Sequence, residues 1–181
     1  MIEVFRLIPL AEKIVLTQVI APHGITDIVH AQTNNKMNQL LTCYSGNLAA
    51  TTLLHQCKLD VFLWPMFIIG SYVHFKHDID LYVKNRYYGH LVNGLFLGMM
   101  IQYPLLFYSY MTAIHVPNHY KNAWPYIQEH KWTTLMLLVC TGGASYVGYD
   151  VCRNVFMPYD LIIGIILGHV TYQEVSVHKS F

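Results

Sequence analysis

Charged side chains are scarce in this chain. Asp, Glu, Lys and Arg make up 12% of its 181 residues, against roughly 25% in an ordinary globular domain. None occurs from Tyr87 through Ile114. Neither sign of charge dominates, the formal net charge being +1, so no basic face points to nucleic acid. Cysteine is sparse as well. Cys43, Cys57, Cys140 and Cys152 show no C-x-x-C spacing, and they read as buried, reduced thiols. No secretory signal is expected, because Glu3 interrupts a basic n-region and no A-x-A site follows the first apolar run. There is no internal repeat, no low-complexity tract and no Ser/His/Asp or Cys/His constellation for nucleophilic catalysis.

What the chain has instead is apolar and aromatic mass with histidine. Hydrophobic residues make up 54%, with 14 tyrosines and 8 phenylalanines, and the 11 histidines equal the Lys plus Arg count. The charge-free run beginning at Tyr87 exceeds the ~20 apolar residues that cross a bilayer. It ends in His115-Val-Pro-Asn-His119. The pattern predicts an all-α protein, a polytopic transmembrane bundle of five or six helices forming one integral membrane domain over residues 1–181, multi-pass in the lipid bilayer. The predicted spans are a short or interfacial helix from near Ile14, Met37 to Cys57, Val61 to Phe75, the central run with a kink at Pro104, Trp132 to Tyr149, and Val155 to Gln173. Asp27 to Lys36, Lys76 to Arg86 and Lys121 to Lys131 read as polar connections. Trp124 and Trp132 would sit near an interface. Gly94-x-x-x-Gly98 and Gly164-x-x-x-Gly168 offer small faces through which helices, or two copies of the chain, approach closely. Chance spacing in glycine-containing segments explains them equally well.

Ionisable groups within apolar segments are costly and mark functional candidates. Neutral imidazole is a good ligand for iron, copper and zinc, and two histidines four apart on a helix share a face. Four clusters stand out: Pro22-His23-Gly24-Ile25-Thr26-Asp27 with His30 following, Val73-His74-Phe75-Lys76-His77-Asp78, His115-Val-Pro-Asn-His119-Tyr120, and Gly168-His169 with Glu174 five residues on. His23, His74, His115 and His119 are the expected metal ligands. Asp27, His77 and Asp78 are candidates to orient them from behind. His55, His90, His130 and His178 read as ordinary hydrogen-bonding residues at helix edges.

PHGITD, VHFKHD and HVPNHY, in that order between apolar runs, resemble the Brp/Blh family of membrane β-carotene 15,15′-dioxygenases. That family carries a P-H-G-x-x-D motif, a later H-F-G motif and an H-S-x-R-H pair. Lys76 stands where the family has the glycine of H-F-G. Val116 and Asn118 stand in place of Ser and Arg, and the interval from His74 to His115 is shorter than the family's. GHVTYQEV is a looser echo of a family Pro-His segment and carries little weight. The resemblance implies one Fe(II) held by His23, His74, His115 and His119. It implies cleavage of an apolar polyene by O₂, β-carotene giving retinal. Phe67, Tyr72, Met99, Met100, Tyr103, Phe107 and Tyr108 are candidates to line the polyene path; helix packing is the alternative for each.

Two other readings compete. One is a histidine-box hydroxylase or desaturase, which also binds iron. The other is a small non-catalytic membrane scaffold or transport-associated protein. Under the oxygenase reading, one ion can be reached if His74 lies within a helix of about Lys58 to Asp80 rather than at its end, or if the Pro104 run bends or re-enters. The first is preferred, since non-helical backbone at depth must be buried in protein or line a cavity.

Overall fold

The computed structural model describes Leu10, residues 13–154 and residues 159–177; side chains are described except at 104, 150–154 and 159–162. The described chain is helical apart from turns. A π-helical turn, Val15–Ile20, passes through the short turn Ala21–His23 into α1 (Ile25–Thr33). There follow α2 (Met37–Gln56), a 3₁₀ turn (Asp60–Phe62), α3 (Leu63–Tyr82), α4 (Arg86–Gln102) and α5 (Pro104–Tyr110). A second π turn, Met111–His115, leads into α6 (Val116–Glu129), then α7 (Lys131–Asn154) and α8 (Tyr159–Tyr172). A third π turn, Gln173–Val177, ends the described chain.

Among the described residues no helix is long and apolar enough to cross a membrane. The transmembrane bundle and the multi-pass localisation expected from composition are therefore corrected. The charge-free run is not one helix. Tyr103 adopts φ −124°, ψ 89° and ends α4 before Pro104 opens α5. The proline ring clashes with a helical predecessor and drives it extended. α3 has 20 residues but contains Lys76, His77, Asp78 and Asp80. α2 is as long, yet is diluted by Asn, Gln, Ser, Thr and His. α8 has 14 residues. Residues 1–9, 11–12, 155–158 and 178–181 lie outside the described residues, and 155–158 open the expected span Val155 to Gln173.

The expected connections also turn out helical. Asp27–Lys36 is largely α1. The Lys76–Arg86 segment begins inside α3, where Lys76 pairs with Asp80 one turn on. Lys121–Lys131 falls mostly in α6. Lys58 does turn the chain, with φ 59°. Asn85 caps α4, its Oδ1 accepting from the backbone N–H of Tyr87 at 3.0 Å and Tyr88 at 3.3 Å. Cys43 is half-buried, whereas Cys57 and Cys140 are exposed free thiols rather than buried ones. Trp124 and Trp132 are both exposed.

The chain packs as two compact units. The first comprises Met1–Val29 and Tyr103–Phe156. Here the π turn Val15–Ile20 lies against α7 and the π turn Met111–His115. Gln18 Nε2 donates to the Gly142 carbonyl at 2.9 Å. Lys13 Nζ stands 4.0 Å from the centre of the Tyr146 ring, a cation–π contact.

The second unit comprises His30–Gln102 and Met157–Phe181. α8 is seated chiefly on α2. A Cβ added at Gly168 would stand 2.8 Å from Tyr44 Cα, and one at Gly164 3.0 Å from Leu48 Cα. Gly164-x-x-x-Gly168 is thus a true packing face, the glycines letting two backbones approach. Gly94 only faces the Tyr72 ring at 3.8 Å, and Gly98 faces open space. Leu63, Ile163 and Leu167 form the core here, with Leu54, Met66 and Phe67 packed against them. Burial of each such side chain stabilises by roughly 1.5–3 kcal/mol.

Candidate metal centre

Each histidine is presented by a local device that the sequence encodes. In the first unit, Pro22 and Pro117 occupy the first turn of the helical segments they open, where a missing N–H costs nothing. Each follows a π turn. The segments carry His23 and the His115/His119 pair.

The three rings form a triangle. Their centres are 5.3 Å apart from His23 to His115, 5.3 Å from His23 to His119, and 4.4 Å from His115 to His119. Imidazoles bound tetrahedrally at about 2.0–2.1 Å hold their ring centres about 5 Å apart, but His23 is not among the residues whose ligand atoms converge within 4.8 Å. His23 Nδ1 hydrogen-bonds the Ile20 carbonyl. A carbonyl only accepts, so Nδ1 carries the proton and Nε2 keeps the lone pair a metal needs. Thr26 Oγ1 donates to the His23 carbonyl at 2.7 Å and fixes the turn. The Tyr110 ring lies nearly parallel to His115, 6.2 Å away.

In the second unit, His74 lies well inside α3, and His169 lies on α8. Their ring centres are 5.0 Å apart. Glu174, from the third π turn, accepts from His77 Nε2 through Oε2 at 2.9 Å, and its Oε1 is 3.8 Å from His74 Nδ1.

One ligand atom each from His74, His115, His119 and His169 lies within 4.8 Å of the others, and all four residues are buried. Four buried histidines this close together could hold a metal ion; the donor set leaves the metal's identity open. Neutral nitrogen donors suit iron, copper and zinc alike. Three of these four were expected from sequence. His169 stood in the fourth histidine cluster, Gly168-His169 with Glu174, but was not among the expected ligands.

Asp27 and Asp78 are buried. His55 and His90 are engaged elsewhere, with Asp60 at 2.6 Å and the Tyr72 hydroxyl at 2.8 Å. His178 lies outside the described residues. Of the candidate path residues in the second unit, Met100 is buried, Met99 exposed, Phe67 packed against the core, and Tyr72 held by His90. In the first unit Phe107 and Tyr108 are half-buried and Tyr103 is exposed. A buried pair missed from sequence is His30 Nδ1 with the Tyr172 hydroxyl, 2.9 Å apart.

Burial pushes the Tyr120 phenol above the ordinary tyrosine value, because the charged form loses hydration. Its stabilising contribution is complete below the unfolded-chain value and is lost as pH rises through the higher folded value. Denaturation midpoints should therefore fall above about pH 10, and less steeply in Tyr120→Phe. An identical pH slope in the variant would refute this.

No family model, curated protein or solved structure matches the chain.

Proposed function

We propose that the chain is a histidine-ligated iron(II) oxygenase that cleaves the central double bond of a carotenoid with O₂. The observation that supports this reading best is the four-histidine group of His74, His115, His119 and His169. Imidazole suits iron as it does zinc and copper, and a site of four protein ligands can leave a position for O₂. The histidine motifs that resemble the Brp/Blh dioxygenases supply three of those four rings, and His23 stands beside two of them. When bound, iron(II) would supply the activation of O₂.

The protein's own side chains do the rest. The imidazoles hold the ion, and their burial excludes water. Adding both oxygen atoms across one C=C bond of β-carotene gives two molecules of retinal, so the reaction balances with no reductant. No acid, base or nucleophile is required of the chain.

The test is expression in cells that accumulate β-carotene. The expected result is loss of the orange colour with formation of retinal, absent in His119→Ala. Unchanged pigment, with purified protein free of iron, would return the non-catalytic scaffold to first place.

A further inference from the structure

We propose that Glu174 is a positioning residue for the metal centre, holding His74 in place while His77 holds Glu174. This rests on the metal-binding reading above. His74 and His77 are three apart on α3 and share a face. Glu174 reaches that face from the π turn that follows α8, five residues beyond His169. Its Oε2 is 2.9 Å from His77 Nε2. Its Oε1 is buried, makes no hydrogen bond among the described residues, and stands 3.8 Å from His74 Nδ1.

Two physical arguments turn this into a role. A buried carboxylate oxygen without a donor is costly, so a protonated His74 Nδ1 facing it is favoured. With the proton on Nδ1, the His74 lone pair lies on Nε2, the nitrogen remote from Glu174. An imidazole that binds an ion through one nitrogen keeps a proton on the other, and a carboxylate there fixes the ring and raises its basicity. His77 is only half-buried, its side chain 38% exposed, so it is placed to anchor the carboxylate rather than to join the buried rings. The same turn therefore aligns two things at once: His169, at the end of α8, and the carboxylate behind His74.

The full chain, purified free of metal, would be titrated with Co²⁺ against a competing chelator and followed by its visible absorption. Glu174→Ala should weaken Co²⁺ binding about 10–100-fold, the usual cost of losing an outer partner of a ligand histidine, and should alter the spectrum. Glu174→Gln keeps the shape and an acceptor oxygen and should fall between. His77→Ala should weaken binding less than Glu174→Ala, and His77→Gln, which keeps a donor, should recover most of the loss. The unfolding midpoints of the metal-free variants should match the parent's. Co²⁺ affinity and spectrum unchanged in Glu174→Ala, or a fall in metal-free stability that accounts for the whole effect, overturns the proposal. A parent protein that takes up no more Co²⁺ than His119→Ala removes the metal centre itself and this role with it. A parent that binds Co²⁺ while Glu174→Ala binds it equally well removes the role alone.

Discussion

His119→Ala should abolish metal loading of the purified protein. His119 belongs both to the triangle with His23 and His115 and to the group with His74, His115 and His169. Removing an outer partner of a metal-bound histidine costs roughly 10–100-fold in affinity. Removing a ligand itself should cost more than that. The measurement is iron, zinc and copper content by elemental analysis after loading, with chelator competition for affinity. The ring is buried, so alanine also leaves a cavity, and loss of binding by unfolding must be separated from loss of a ligand. His119→Gln serves here, filling most of the space with a poorer donor. Circular dichroism should show both variants helical. His55→Ala is the control, since His55 is exposed and pairs with Asp60; its metal content should equal the parent's. A His119→Ala protein that is folded and loads metal as well as the parent would remove this residue from the centre.

The second large effect concerns the seat of α8. Gly168→Ala places a Cβ 2.8 Å from Tyr44 Cα and 3.0 Å from Tyr44 Cγ. Gly164→Ala places one 2.5 Å from Thr51 Oγ1 and 3.0 Å from Leu48 Cα. The obstacle is in part backbone, which cannot rotate away as the end of a flexible side chain can. Overpacking of this kind costs about 1–3 kcal/mol. At roughly 2–4 °C per kcal/mol for a chain of this size, the melting temperature should fall by about 2–12 °C. The double variant should lose more than either, the two sites lying one turn apart on the same face. Gly98→Ala meets nothing within 4 Å and lies inside α4. It should raise stability by about 0.5–1 kcal/mol, since alanine is the better helix former. Equal melting temperatures for Gly98→Ala and Gly168→Ala would sink the packing argument. Because His169 follows Gly168 directly, the clash should also reduce metal loading.

Much of this architecture was legible in the residues, though unevenly. The all-α class followed from the long apolar runs. Pro104 marked where the central run divides, but its consequence was underestimated. A proline one residue beyond a helix end stops it, and the run reads as continuous only when hydropathy is averaged across it. The polar stretches misread as connections show the opposite error. Lys76 and Asp80 look like loop residues until they are seen one turn apart on α3, paired with each other. The two G-x-x-x-G faces were indistinguishable by spacing. Only the partner's backbone separates them: Gly164 and Gly168 meet one, Gly98 does not.

The histidine clusters singled out His23, His74, His115 and His119 as candidates, because an ionisable ring in an apolar segment needs a reason to be there. That His169 stands with three of them, and that Glu174 stands behind His74, is a matter of packing alone. Ligand convergence depends on which face each helix turns toward its neighbours, and for α8 that face is chosen by two glycines pressed against α2, one of them next to His169.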